Sequence, residues 1–519
     1  MAHIDHMVNS VHFATYASKP NYSCMNDDDS WSHVYWSAVG NCKTERNDIV
    51  KALQTRDNFK KNTADDDSMP ESGKSAKRQK KKNKKLLKSK VQKENMMKVW
   101  FGDDNPIKDE NQYTSLESLD DFKEVLGACY SDQDSCPTIL SEPKMMIHNL
   151  PILHGWMWKK TTCGLKNLGN TCFLASLIQC LQHIPAWINF ILLHHAQNCT
   201  QLKKDCIICI LARLAAKCHS STSPIAPCKL VSSLSRIGKH LTFGRQEDAH
   251  DFFLCLITKM QESLTSVFKN VDIHTEMTTA VGQIFGGYFS ETIMCNYCRK
   301  PVDSYEPYYC VSLDIAENIN SCIELLVTPN TLNREKWYNC KECQTKRNAT
   351  KCLAFHKLPN VLALHLKRYE YQDGRLSKNL GHVGFEDHLD LKPYVSLSSN
   401  EVDCKYELSS VLVHHGYSMT SGHYTAYVSV PSESTNGRSW FCMNDNFVTS
   451  VKWSDVRKSE AYMLFYTRSM EETKMGMENL NDEGISIVSD PEKILATWSE
   501  EYDKEFTTSF SDLSQRQTR

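Results

Sequence analysis

Cys172 closes the segment Gly164-Leu-Lys-Asn-Leu-Gly-Asn-Thr-Cys172 and leads directly into an apolar run. A cysteine reacts as its thiolate, and the unsatisfied amides and dipole at a helix N-terminus favour that form. Gly169 and Asn170 suit a tight turn into such a helix. The same amides can donate to a developing oxyanion, and Asn167, five residues upstream, adds a side-chain donor. Spacing alone leaves Cys172 one candidate among 22 cysteines, most of which must be inert.

A nucleophilic thiol needs a base. His423, within Gly422-His-Tyr424, follows the turn-rich loop 416–422 and opens an extended run. A histidine there can face a cleft, although with 20 histidines in the chain the position is weak evidence alone. Further on, Asn444 and Asp445 fall at a strand–turn junction. Either can accept from the imidazole N–H and fix its tautomer, or the pair can simply make a turn.

A second chemistry lies in Cys295-x2-Cys298 and Cys340-x2-Cys343, with 41 residues between the pairs. Two such knuckles supply four thiolates for tetrahedral zinc, a structural site with no open position for a catalytic water. The long gap requires a β-hairpin excursion to bring them together. Cys206-x2-Cys209 is set aside, because it sits in an apolar helical run with no second pair nearby. Cys199 and Cys218 are too loosely spaced to complete it.

The elements that must position these residues are readable from periodicity. Leu174, Leu177, Ile178 and Leu181 share one helix face, as do Ala249, Phe252, Phe253, Leu256, Ile257 and Met260. Glu247 and Asp248 fall where a first turn favours acids. Residues 361–366, 408–414, 424–430 and 462–467 read as strands. Helices lead and strands follow, which predicts an α+β fold rather than an alternating parallel sheet.

Composition confines this fold to the middle of a 519-residue chain. Mean hydropathy is −0.47, no run of about 18 apolar residues exists, and the first residues do not resemble a secretory signal. A membrane span and a secreted disulfide scaffold are therefore not expected, and the cysteines read as reduced thiols, metal ligands or a nucleophile. Residues 1–158 are polar and read as mostly disordered; Lys74–Lys93 holds 11 Lys/Arg and no acid. Trp31, Trp36 and Trp100 mark short pieces within it that order or dock. That run suits an import receptor, nucleic-acid phosphates, or a solvated linker. Residues 469–519 form an acidic tail of net charge −7, in which Trp498, Tyr502, Phe506 and Phe510 recur every fourth residue as a helix marginal on its own. The whole-chain net charge of −2 thus averages over unlike parts.

Taken together, the motifs resemble the ubiquitin-specific protease family of cysteine deubiquitinases. GLKNLGNTCFLASLIQCLQ resembles its cysteine box; GYSMTSGHYTAYV with WFCMNDNFV resembles its histidine box. GRQEDAHDFF, the paired CxxC motifs and LPNVLALHLKRYEY lie between them in the family's order. The resemblance covers about 159–468 and looks closest to members with a lysine-rich flank and no zinc-finger ubiquitin-binding domain.

The resemblance implies a papain-like core with thumb, palm and fingers subdomains, the fingers spanning about 284–355 and holding structural zinc. It implies Cys172 as nucleophile, His423 as base, Asn167 as oxyanion donor, and Asn444 with Asp445 sharing the third triad role. Asp248 matches an acid that meets basic side chains near the ubiquitin C-terminus, and Gln246, Gly422 and Tyr424 would line the passage for the glycine tail. The segment 371–388 would add a second loop over that tail. The implied activity is hydrolysis after the C-terminal glycine of ubiquitin, with ubiquitin and ubiquitinated proteins as partners, no membrane, and a monomeric enzyme in the nucleus, nucleolus or cytoplasm. A weakly catalytic ubiquitin-binding scaffold and a thiol protease for a ubiquitin-like modifier are the alternatives. Ala175 and Tyr369 stand where members usually have Asn and Phe.

Overall fold

The apolar runs of the central strands are continuous rather than alternating, as in Ala461-Tyr-Met-Leu-Phe-Tyr466. Such a strand must be buried on both faces. Successive side chains do point into two separate cores. Leu412, Met463 and Phe465 enter one core, whereas Val411, Val413, Leu464 and Tyr466 enter the other. The sheet that divides them runs, in spatial order, Phe447–Val451, Arg438–Asn444, Ser421–Pro431, Lys405–Ser418, Ala461–Arg468, Val361–Leu366 and Val311–Leu313. Its pairings are antiparallel except that of Val311–Leu313 with Val361–Leu366.

This computed structural model describes residues 118–131, 139–148, 162–469 and 496–503, with short breaks at 196–198, 200–205, 333–337, 373–374, 419–420 and 433–436. The described residues fall in one compact unit, Ser115–Arg519. The basic run 74–93, the three N-terminal tryptophans, and Phe506 and Phe510 lie outside the described residues.

On one face of the sheet pack the helices Cys172–Gln182, Ile207–Ser220 and Ala249–Thr265, whose apolar sides share one core with it. Phe253 meets Phe285 and Phe465 edge-on, at centroid distances of 5.6 and 5.7 Å. A separate four-stranded sheet, ordered Pro301–Tyr308, Gly287–Cys295, Ala349–Lys357 and Asn330–Leu332, contributes Met294, Tyr308 and Phe355 to the second core. These are the expected thumb, palm and fingers.

Two helices lie outside the expected limits of 159 and 468. Helix Leu119–Ser131 buries Phe122 and Leu126 in the second core. Its start is fixed reciprocally: the Asp121 amide donates to Ser118 Oγ at 3.1 Å, and the Ser118 amide donates to Asp121 Oδ2 at 3.1 Å. The helix is then tied to the fingers by Tyr130, which donates to Asp303 Oδ2 at 2.6 Å. At the other end of the chain, residues 496–503 are helical and bury Trp498 and Tyr502 in the first core. Tyr502 donates to the Ala226 carbonyl, and Lys217 pairs with Asp503 at 2.7 Å. A segment marginal alone becomes a stable helix by burying its apolar face.

Candidate active site

Cys172 is the first residue of helix Cys172–Gln182. The turn before it uses left-handed backbone at Gly169 (φ 105°) and Asn170 (φ 56°). Asn167 shapes that turn, because its Oδ1 accepts from the amides of Gly169 and Thr171, both at 3.1 Å. With the carbonyl end occupied, Nδ2 is turned outward and donates to Asp445 Oδ2 at 3.1 Å. An amide nitrogen carries two hydrogens, so a second remains for an oxyanion. Cys172 itself is only 3% exposed, so a substrate carbonyl must be led to it.

His423 reaches the site from strand Ser421–Pro431, half-buried, with its ring beside the Cys172 thiol. Its Nε2 lies 2.7 Å from Asn444 Oδ1, which makes Nε2 the donor and leaves Nδ1 to face the thiol. The imidazole is pushed up to about 9, first by its contact with Cys172 and further by Asn444 and the charge of Asp445, against the opposing effect of burial. At neutral pH the ring holds its proton.

Asn444 ends strand Arg438–Asn444, and its register partner Phe447 opens the next, so Asp445 and Asn446 form a two-residue hairpin turn with Asp445 at φ 48°. The sequence left two options for this segment, a turn or a triad member. The turn is what the structure shows, and it aims the two side chains apart. Asn444 meets the imidazole, and Asp445 holds Asn167. Gly164 lies against this turn so closely that a Cβ would sit 2.4 Å from the Asn446 carbonyl oxygen. The Leu165 amide seals the contact by donating to the Asp445 carbonyl at 2.9 Å. The cysteine and histidine boxes are thereby locked together.

Gln246 binds Gly422 from both sides of its amide. Its Nε2 donates to the Gly422 carbonyl, and its Oε1 accepts from the Gly422 N–H, each at 3.0 Å. Beneath Gly422 lies the His414 ring, and a Cβ at Gly422 would come 2.1 Å from His414 Nε2. His414 is neutral, pushed down to about 4 by burial and by nearby Lys378, His415 and His423. Its Nδ1 is 2.7 Å from the Tyr369 hydroxyl. The hydroxyl that distinguishes Tyr369 from Phe therefore has a partner one layer below the base.

Asp248 caps helix Ala249–Thr265: Oδ1 accepts from the Asp251 amide at 2.9 Å. Its Oδ2 accepts from Tyr424 at 3.3 Å and Tyr462 at 2.5 Å. The carboxylate is thus braced from inside the protein. Ala175 is buried within the cysteine helix, away from these polar contacts. Segment 371–388 begins as the hairpin Tyr369–Gln372 and Arg375–Lys378.

In the fingers, the four expected cysteines do converge, with all four sulfur atoms within 4.8 Å of one another. Cys295 and Cys343 are 4.0 Å apart, and Cys298 and Cys340 are 3.6 Å apart. Each pair occupies a hairpin turn, and the residue after each second cysteine, Arg299 or Gln344, has positive φ (58° and 53°). The two knuckles are built alike, and the set can hold a soft metal ion.

The structure also brings together thiols that sequence spacing kept apart. Cys199, dismissed for its spacing, lies with Cys206 and Cys209 in a cluster whose sulfur atoms are within 4.8 Å of one another. Sequence spacing alone does not show that Cys199 lies beside the start of helix Ile207–Ser220. The bracing tyrosine Tyr462 was likewise missed; in sequence it reads as one more apolar residue of a core strand.

A family model described as ubiquitin carboxyl-terminal hydrolase matches residues 163–466, more than half of the chain. Human ubiquitin carboxyl-terminal hydrolase 42 is 34% identical over 319 residues, which is 60% of this chain and 23% of that protein. Human ubiquitin carboxyl-terminal hydrolase 17-like protein 6 is 36% identical over 313 residues, 59% of this chain and 75% of that one. Human 17-like protein 17 is covered over 56% of its length, so the chain spans only part of several relatives. Among solved structures, the SAGA Ubp8/Sgf11/Sus1/Sgf73 DUB module bound to ubiquitin aldehyde matches with a TM-score of 0.53 and 28% identity, covering 68% of this chain and 76% of that one. A second structure of that module, bound to monoubiquitin, matches with a TM-score of 0.53 and 27% identity, over 68% and 76% of the two chains. Cys172, His423 and Asn444 meet inside the matched span, and this chain belongs to the ubiquitin carboxyl-terminal hydrolase family.

Proposed function

We propose that the protein is a thiol-dependent deubiquitinase that cleaves isopeptide or peptide bonds after the C-terminal glycine of ubiquitin. The observation that carries this reading is the single cluster of Cys172, His423, Asn444 and Asn167, built from two distant boxes and locked at Gly164. Structural neighbours bound to ubiquitin aldehyde and monoubiquitin support ubiquitin as the substrate.

In this mechanism the Cys172 thiolate, its proton held by His423, attacks the glycine carbonyl, and the carbonyl electrons move to oxygen. That oxygen meets the free Nδ2 hydrogen of Asn167 and the amides at the helix start. His423, already protonated, gives its proton to the departing lysine amine, leaving a thioester. Water then loses a proton to His423 and attacks the thioester carbonyl, which releases ubiquitin, whose new carboxyl loses its proton to solvent, and restores the Cys172 thiolate beside the protonated ring.

Gly422, fixed by Gln246, lines the approach of a glycine tail, and its missing side chain leaves room for the His414 ring behind the strand. Asp248, braced by its tyrosines, presents a carboxylate for basic side chains ahead of that tail. The four fingers thiols hold structural zinc, which would pin the two hairpin tips. The basic run 74–93 serves nuclear import, which predicts loss of nuclear accumulation when it is deleted.

A ubiquitin C-terminal electrophile tests the central assignment. The wild type should be labelled and should hydrolyse a fluorogenic ubiquitin amide, and Cys172→Ala should do neither. Equal labelling of both, or preference for a probe built on a ubiquitin-like modifier, would reject the reading.

A further inference from the structure

Strand Lys405–Ser418 departs from regular pairing with Ser421–Pro431 at one place, beside the base. His415 pairs with His423 and Ser418 with Ser421, so three steps on one strand face two on the other. A surplus residue of this kind makes a β-bulge, which breaks the ladder locally and re-aims nearby side chains. Within the bulge Gly416 has φ 149°, and a Cβ there would lie 2.8 Å from the Ser421 carbonyl oxygen and 2.9 Å from Gly422 Cα. The bulge therefore rests against the two residues that precede His423.

One side chain grips this bulge. Lys378 Nζ donates to the His414 carbonyl at 2.7 Å and to the Gly416 carbonyl at 2.9 Å, the two that flank His415. His414 Nδ1 lies 3.4 Å from the same ammonium. A lysine serving only solubility keeps its ammonium in water, where it is strongly hydrated. Here the side chain is half-buried and bonded to backbone oxygens, and burial lowers the amine, opposed by the charge of Glu460. The backbone beside Lys378 is anchored from the opposite side. Fully buried Arg368 donates from Nε to the Ala461 carbonyl at 2.6 Å, and from Nη1 to the carbonyls of Asn379 and Gly381 at 3.1 and 2.8 Å. The Asn379 amide in turn donates to the Arg368 carbonyl at 2.6 Å. Lys378 thus reaches the bulge from a fixed base, at the closing pair of hairpin Tyr369–Gln372 and Arg375–Lys378.

We propose that Lys378 is a positioning residue for the reaction, fixing the bulge at Gly416 and through it the seat of His423 beside Cys172. The inference rests on the thiol-protease reading given above. Lys378 does not touch the reacting atoms. Its two bonds set where the Gly416 backbone lies, Gly416 limits where Ser421 and Gly422 can lie, and these deliver His423. A displaced imidazole would leave less of Cys172 as thiolate and would reach the leaving amine less well. Loss of a lysine that only braced the fold would lower stability and leave Cys172 as reactive as before.

Two readouts on the full-length chain test this role. Alkylation of Cys172 by chloroacetamide, followed by peptide mass spectrometry, reports the Cys172–His423 pair without ubiquitin. A fluorogenic ubiquitin amide gives kcat and KM separately. Lys378→Met keeps an unbranched stem and loses the ammonium. It should slow alkylation about ten-fold and lower kcat by about 10–100-fold, with KM nearly unchanged. Lys378→Arg, which keeps the charge and the N–H donors, should recover most of both rates. Wild-type alkylation and kcat in Lys378→Met would overturn the role, even if urea unfolding showed a loss of stability. So would a rise in KM alone. If Lys378→Met fails to fold, Lys378→Gln, which can still donate to one carbonyl, decides: a partial loss of both rates is expected, and no loss overturns the role. A wild type with an unreactive Cys172 and no turnover would instead reject the thiol-protease reading itself, and the inference with it.

Discussion

Asn167 Nδ2 donates to Asp445 Oδ2 across 3.1 Å, joining the loop before the nucleophile to the turn after the residue that orients the base. Asn444 already serves the imidazole, at 2.7 Å. The two adjacent residues therefore hold two partners, Asn444 the His423 imidazole and Asp445 the Asn167 amide. Replacing Asn167 by Ala should lower kcat by about 10²–10³-fold, as for loss of one oxyanion-hole donor. Asp445→Ala leaves the donor in place but unguided, and should lower kcat about ten-fold with KM for a ubiquitin amide nearly unchanged. An equal rise in KM would point to substrate binding instead.

His423 should titrate visibly. Its imidazole is raised to about 9, chiefly by the Cys172 thiol. The general-acid step needs the protonated ring, so kcat should fall as pH rises through that value. Cys172→Ala removes the largest raising influence and leaves burial, so the ring should titrate at lower pH, followed by NMR of the imidazole. Asn444→Ala should shift it in the same direction by less, and move the alkaline limb of the rate profile downward.

Gly422→Ala tests the packing behind the base. The added methyl would meet His414 Nε2 at 2.1 Å and the His415 carbonyl oxygen at 2.6 Å. Overpacking of this kind costs about 1–3 kcal/mol, here concentrated one residue from His423. The variant should fold with a lowered melting temperature and lose about 10²-fold or more in kcat/KM. Wild-type activity would show that the strand slides freely.

Tyr369→Phe isolates a single hydroxyl. Removing it leaves His414 Nδ1 with only the more distant Lys378 Nζ, at 3.4 Å. Leaving a buried polar atom poorly paired costs about 1–3 kcal/mol. Urea unfolding should show a loss in that range with kcat little altered, since the hydroxyl does not touch the reacting atoms.

Much of this was legible in the sequence where a periodic pattern coincided with burial. Helix Ala249–Thr265 and strand Val361–Leu366 fall where their spacing places them, because apolar periodicity alone fixes which face is buried. The strand read at 408–414 extends to Lys405–Ser418, since its ends carry polar residues that pair by backbone alone. The α+β expectation held for the same reason. The converging thiols of the fingers were predictable from two matched knuckles. Less accessible were features that depend on a distant partner. Helix Leu119–Ser131 shows only Leu119, Phe122 and Leu126 as signal, within a stretch whose composition argued for disorder. Tyr462 and Tyr424 bracing Asp248 join residues 214 and 176 positions away. No local spacing encodes such contacts.

The docked helix at 496–503 has a consequence for how the protein answers a competitor or a cut. Residues 470–495 link it covalently to strand Ala461–Arg468, so its docking is unimolecular. A covalent link between two binding elements sets an effective concentration on the order of mM. A peptide of the same sequence offered in trans would have to approach that level before displacing it. One peptide-bond break anywhere in the tether abolishes the advantage. Trp498 and Tyr502 would then leave on dilution and bare the apolar floor beneath them.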